Sequence, residues 1–233
     1  VEASLELLGF WDFSLTVVIP RLLQGMAITL KVTLVSAVFG LILGLFIAIC
    51  RMSFSKILKS LSIIYIALFR GTPLLLQILF IYFALPTLLE KMDIIWMVDA
   101  FWAGVMALSL NSAAYLAEIY RAGILSIAKG QTEAGRALGL SHWQTLFHIV
   151  IPQSYRRLIP PIVNELSALT KETSLVSVIS LGELLYATQR VGAKYLRVWE
   201  AYVWAAIGYL IIVLFLSSLA SYLEKKLEAK GGV

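Results

Sequence analysis

Charge is what this sequence has least of. Of its 233 residues, 14% are Asp, Glu, Lys or Arg, against about a quarter in an ordinary soluble domain. Hydrophobic residues make up 60%, more than a soluble chain of this length can hide from water, so the composition points to lipid as the solvent. Cysteine is nearly absent. Cys50 stands alone, which excludes a disulfide within the chain, and its place in an apolar run fits inert packing. The two histidines, His142 and His148, lie in a polar stretch away from other ligand types, so no metal site is expected. No G-x-x-x-x-G-K-[ST] loop is present to cradle nucleotide phosphates, so the chain is not expected to be an enzyme that hydrolyses ATP unaided. The opening residues, VEASLELLGFWDF, begin with Val and lack the basic-then-apolar order of a signal peptide. An initiator Met is expected upstream, and targeting is expected to come from the first apolar segment. A net charge of +5 would point to nucleic acid in a soluble protein. Here it is expected to reflect Lys and Arg in cytoplasmic loops, with no nucleic-acid partner.

Long apolar runs are plentiful. A membrane span needs about 20 predominantly apolar residues, and five segments qualify, at about 22–50, 57–89, 98–125, 158–185 and 201–223. The fourth is the weakest: Glu165, Lys171 and Glu172 interrupt it, and Pro160 and Pro161 open it. The loop 126–157 differs in character, being polar with helical spacing. Glu133 to Leu138 favours helix, Gly139 is placed to end it, and Ser141 with Gln144 forms a capping-box pattern for a second short helix that Pro152 ends or kinks. Arg51, Lys56 and Lys59, then Arg121, Lys129, Arg136, Arg156 and Arg157, then Lys225, Lys226 and Lys230, all fall on one side. The other side carries Arg21, Lys91, Arg190, Lys194 and Arg197 mixed with acids, Glu2 and Glu6 among them. The excess of cations on the first side predicts an outside N-terminus, an inside C-terminus and a cytoplasmic long loop. The expected fold is all-α and polytopic, with 1–233 as one transmembrane domain.

The long loop carries E-A-G-x-x-x-G, with I-x-I-P ten residues beyond the second glycine: Glu133, Ala134, Gly135, Gly139, Ile149, Ile151 and Pro152. This resembles the signature loop of binding-protein-dependent ABC importer permeases, E-A-A, three residues, G, nine residues, I-x-L-P. Gly135 replaces the second alanine and Ile151 replaces leucine. The segments LLQGMAITLKVTLVSAVFGLILG, LFRGTPLLLQILFIYF, NSAAYLAEIYRAGI, ALGLSHWQTLFHIVIPQ and KETSLVSVI are similar to the polar amino acid uptake permeases, those for histidine, arginine and glutamine. The resemblance runs from about residue 22 to the C-terminus. It implies a bacterial cytoplasmic-membrane location and two copies of a separate ATPase subunit that bind ATP and Mg. It also implies a second permease chain, identical (a homodimer) or related, an extracytoplasmic amino-acid-binding protein, and an amino acid substrate. The coupling helix is expected to use Glu133, Ala134, Gly135, Gly139 and Leu140. Small residues at 134, 135 and 139 allow close backbone approach to a partner, and Glu133 offers charge at a helix start. Gly135→Trp is expected to uncouple ATP hydrolysis from transport.

Polar groups inside a membrane are costly and tend to face a cavity or one another. Asn111, Tyr115 and Glu118 share a helical face, as do Asn164, Ala168 and Lys171, with Glu165 and Glu172 on a neighbouring one. Gly71, Thr72 and Pro73 can break the second apolar helix and expose backbone to a ligand. A mid-membrane pocket is expected from these three segments. Backbone around Gly71 to Leu75, with Asn111, would hold the α-amino and α-carboxylate groups, and Glu165 would meet a basic side chain; Thr72, Tyr115 and Asn164 are further candidates for the substrate site. Other readings stay open. Glu165 can pair with Lys171 or Arg70, Asn111 can simply bond a neighbouring helix, and Lys171 to Thr173 can be a turn that breaks the fourth segment. Arg70 near a helix end can snorkel, and Trp96, Trp102, Trp199 and Trp204 fit interfacial anchors. At the level of class, an ion-coupled secondary carrier, a membrane-embedded enzyme, or an ABC permease for glutamine or an opine remain as rivals.

Overall fold

The computed structural model describes residues 9–229, and among them there is helix and turn with no strand. Glu2 and Glu6 of the opening segment and Lys230 of the tail, used above for orientation, lie outside the described residues, as do the side chains of Arg156, Lys225 and Lys226. Among the described residues eight helices follow in order: α1 (Phe10–Met52), α2 (Lys56–Gly71), α3 (Leu74–Glu90), α4 (Ala100–Leu125), α5 (Lys129–Ala137), α6 (142–172), α7 (Leu184–Tyr195) and α8 (Val198–Ala229). A 3-10 stretch, Thr173–Ile179, follows α6 directly. Helices long and apolar enough to cross a membrane are α1, α4 and the Val198–Leu219 part of α8, and the broken pair α2 and α3 would count as a fourth.

Proline explains much of the helix geometry. Its ring lacks an N–H and crowds the carbonyl four residues back. Three five-residue π turns occur among the described residues, at Ser14–Val18, Phe80–Ala84 and Leu146–Val150. Each ends two residues before a proline, Pro20, Pro86 and Pro152, so the crowded carbonyls of Thr16, Tyr82 and His148 each sit at the centre of a widened turn. Pro152 therefore neither ends nor isolates a short helix, and the second half of the long loop is the beginning of α6. Pro160 and Pro161 do not open a span either. They lie inside α6, where their fixed φ suits a helix although each removes a backbone donor and crowds the carbonyl four residues back. The fourth apolar segment, 158–185, is accordingly not one helix but the end of α6, a 3-10 stretch, a left-handed Ser180 (φ 62°) and the start of α7. The first apolar helix starts well before residue 22, since Phe10 to Arg21 continue it. The fifth runs past 223 to Ala229.

The described residues fall into two compact units. The first comprises the chain up to Val38 with Thr72–Ser109 and Ala168–Phe215. Its core joins Phe13, Val17, Val18 and Leu22 of α1 to Leu184, Val191 and Tyr195 of α7 and Ala201 and Ala205 of α8. A buried carboxylate pins these helices. Glu183 is fully buried and caps α7 by accepting from the Leu185 (2.9 Å) and Tyr186 (2.7 Å) amides. It also accepts from the Tyr209 hydroxyl of α8 at 2.7 Å and the Thr29 hydroxyl of α1 at 3.5 Å. The second unit comprises Phe39–Gly71, Leu110–Ser167 and the chain from Leu216. There Ile47 and Ala48 of α1, Ile66 of α2 and Ala113 and Ala117 of α4 form the core. Gly44 lets α1 and α4 close up: a Cβ there would stand 2.8 Å from the Leu116 Cβ and 3.0 Å from the Ala113 carbonyl.

Candidate functional site

The second unit gathers most of the polar residues singled out above, on α2, α4 and α6. The chain breaks after α2 for a local reason. The carbonyl of Phe69 would normally accept from residue 73, which is proline and has no amide hydrogen. Asn111 supplies the missing donor: its Nδ2 reaches the Phe69 carbonyl at 3.1 Å. One turn back on α2, the Tyr65 hydroxyl donates to the Leu110 carbonyl at 2.6 Å. Asn111 therefore bonds a neighbouring helix through at least one amide hydrogen. On the same stretch of α4, the Ser112 hydroxyl donates to Oε1 of Glu165 at 2.8 Å, which fixes that half-buried carboxylate on α6 beside the polar face of α4. Asn164, its neighbour in sequence, is exposed.

Tyr115 lies under the guanidinium of Arg70, 5.0 Å from its ring centroid. Both border an open cleft of about 540 Å³ that Glu118, Gly123, Arg157 and Pro161 also line. Glu118 is held by cations: Arg121 reaches it at 2.7 and 2.9 Å, and Arg51 at 3.7 Å. Gly71 has no atom within 4 Å of where a Cβ would be, so glycine there answers no crowding. Thr72 and Leu75 belong to the first unit, where Gln77 donates to both the carbonyl (3.1 Å) and the hydroxyl (2.9 Å) of Thr72 and ties the start of α3 together.

The signature loop folds into a rigid corner. α5 begins at Lys129, so Glu133 sits in mid-helix and not at the helix start. Its end is a Schellman motif: Gly139, with φ of 82°, donates to the Arg136 carbonyl (3.0 Å), and Leu140 donates to the Gly135 carbonyl (3.2 Å). Ser141 and Gln144 then close a reciprocal capping box at 3.2 and 2.8 Å that starts α6. Gly135 does not face outward. It is buried, and a Cβ there would stand 2.7 Å from Ile149 Cδ1 and 3.0 Å from Thr145 Cγ2. Its smallness lets α5 seat on α6 within the chain, which replaces the expectation that it makes room for a partner. The outward face keeps Glu133, Ala134 and Leu138, the last 81% exposed. Trp143 and Phe147, stacked at 6.1 Å between centroids, add exposed apolar area on α6.

Sequence reasoning missed Glu183 and the exposed aromatic pair. A signal for Glu183 was present, since an acid directly before L-L-Y-A-T-Q is a helix-capping pattern. Of the four tryptophans read as interfacial anchors, Trp96, Trp102 and Trp199 are exposed, whereas Trp204 packs against the first unit's core.

Comparison with known proteins places this geometry. Residues 40–229 match the family described as binding-protein-dependent transport system inner membrane component. The chain is 43% identical over 219 residues to the arginine transport system permease protein ArtQ of Bacillus subtilis (strain 168), covering 94% of this chain and 98% of that protein. It is 39% identical over 210 residues to the glutamine transport system permease protein GlnP of Escherichia coli (strain K12), covering 90% and 94% respectively. A chain from the crystal structure of an amino acid ABC transporter with histidines matches at a TM-score of 0.85 and 36% identity, over 94% of this chain and 99% of that one. The extent of these matches and the apolar helices give one conclusion: the chain belongs to the family of binding-protein-dependent transport system inner membrane components and is a membrane protein.

Proposed function

We propose that this chain is the permease subunit of an ATP-driven importer for polar amino acids, with basic ones preferred. Five passages through a bacterial cytoplasmic membrane, the N-terminus outside and the C-terminus inside, would make 1–233 a single transmembrane domain. Two such chains, identical or paired with a related one, would enclose the pathway. The outward face of α5, with Glu133, Ala134 and Leu138, would sit on an ATPase subunit, one of two that bind ATP and Mg. Gly135, Gly139 and Leu140 would keep that helix rigid enough to transmit the motion. An extracytoplasmic binding protein would deliver the solute, and ATP binding and hydrolysis would alternate the pathway between outward and inward access. Membership of the family and the names of the relatives support this class over an ion-coupled carrier or a membrane enzyme.

The observation that carries the solute assignment is the half-buried carboxylate of Glu165, held by Ser112 beside Asn111 and Tyr115. A basic solute side chain would meet this carboxylate and recover part of its desolvation cost through the charge pair. Backbone from Gly71 to Leu75, with Asn111, Tyr115 and Asn164, would take the α-amino and α-carboxylate groups. In Glu165→Gln, arginine uptake should fall about ten- to a hundredfold, the value of a charged hydrogen bond, while glutamine uptake is kept. Unchanged selectivity would remove the role given to Glu165 and favour a neutral solute such as glutamine or an opine. Glutamine is the solute in the name of the Escherichia coli relative.

A further inference from the structure

Within the first unit a groove of about 380 Å³ runs between α1 and α7, and its wall is basic. The two helices are antiparallel along it. Arg21 of α1 lies at Tyr195, where its guanidinium donates to the hydroxyl at 3.1 Å and stands 5.4 Å from the ring centroid. Gly25 lies at Glu183 and Ala187, so close that a Cβ would stand 2.9 Å from the Ala187 Cβ. Ile28 lies at Gly182. One end of the groove therefore carries three cations, Arg21, Arg190 and Lys194, with Gln24 beside them, and the other end narrows to Ile28 and Gly182. Among the described residues no Asp or Glu lines it.

We propose that this groove binds the phosphate headgroup of an anionic phospholipid at the Arg21, Arg190 and Lys194 end, with an acyl chain leaving past Ile28. Three observations favour lipid over an acidic protein. The groove is walled by a membrane-crossing helix whose residues just outside it, Leu23, Leu30 and Leu34, are large, apolar and exposed. Polarity falls along the lining of the groove itself, from Arg21 and Gln24 to Ile28, in the direction of the uncharged run that begins after Lys31. The cationic end also lies about three turns along α1 from exposed Trp11 and five residues before exposed Trp199, side chains suited to headgroup depth. Three cations gathered at one end attract an acidic headgroup by charge.

The test uses the full chain isolated in detergent with the subunits that co-purify, and native mass spectrometry after addition of phosphatidylglycerol or phosphatidylcholine. Wild type should retain phosphatidylglycerol selectively, one per chain. Each neutralised cation should weaken retention about fivefold, and the triple variant Arg21→Gln, Arg190→Gln, Lys194→Gln roughly a hundredfold. Lys31→Gln, the same charge change on α1 at a residue outside the groove lining, should leave retention unchanged. If the triple variant unfolds, as a lowered thermal midpoint would reveal, single Arg190→Gln decides, because Arg190 is exposed. Equal retention of both lipids, or undiminished retention in the variants, would overturn the proposal. So would competition by glycerol phosphate at the lipid's own concentration, which would make this a site for a free phosphate ester. Undiminished lipid with lost affinity for a soluble binding protein would assign the groove to that protein instead.

Discussion

Pro73 removes the amide that the Phe69 carbonyl requires, and the side chain of Asn111 replaces it at 3.1 Å. Truncating Asn111 to alanine would remove that bond between α4 and α2, at a cost of about 0.5–1.5 kcal/mol. Asn111→Ala should therefore lower the thermal unfolding midpoint in detergent. If Asn111 instead serves mainly to bind solute, the midpoint will hold and the KM for uptake will rise. Glu183 is the second polar residue with a large structural share. Glu183→Ala removes the cap of α7, worth about 1–2 kcal/mol, and takes an acceptor from the Tyr209 and Thr29 hydroxyls, so this variant should be less stable than Glu183→Gln, which keeps an acceptor oxygen. Equal midpoints for the two variants would show that the hydrogen bonds around position 183 contribute little.

At the scale of the element, α5 and the start of α6 form one built corner: a Schellman turn, a capping box and a glycine seated against Thr145 and Ile149. The outward and inward faces of α5 separate experimentally. Ala134→Trp places bulk on the exposed face and should abolish the stimulation of ATP hydrolysis by solute while leaving the thermal midpoint unchanged. Gly135→Trp forces α5 off α6, so it should lose coupling and stability together. A midpoint equal to wild type in Gly135→Trp would contradict the seating of α5 on α6. Gly139→Ala should cost about 1–2 kcal/mol through its left-handed backbone and weaken coupling to a smaller degree. The sequence pattern made the corner's two ends readable, because Gly139 and the Ser141 and Gln144 pair have meanings fixed by local geometry. The inward orientation of Gly135 was not readable, since it depends on which residues of α6 come to lie beneath it.

For the whole molecule, the same division holds. Apolar runs announced α1, α4 and α8, whose interiors carry little charge, and the Gly-Thr-Pro run announced the break between α2 and α3. The segment 158–185 misled, because its apolar residues are spread over a helix end, a 3-10 stretch and a new helix, and hydropathy records composition without backbone path. Helical spacing on α4 correctly put Asn111, Tyr115 and Glu118 on neighbouring turns. It could not say that Glu118 is taken up by Arg121 and Arg51, nor that Ser112 would hold Glu165. The bond from Asn111 to Phe69 had a half-signal in Pro73, which removes the amide four residues beyond that carbonyl but does not name a replacement donor. Function rests on the scale of the assembly: a membrane chain of this family, with a polar corner and a carboxylate held by Ser112 beside a polar helix face. The most direct measurement is uptake of radiolabelled arginine into proteoliposomes holding this chain with its co-purifying ATPase, with ATP inside and the binding protein outside. Uptake that requires ATP and is barely reduced by excess glutamine is the expected result; uptake that proceeds equally without ATP would contradict the importer assignment.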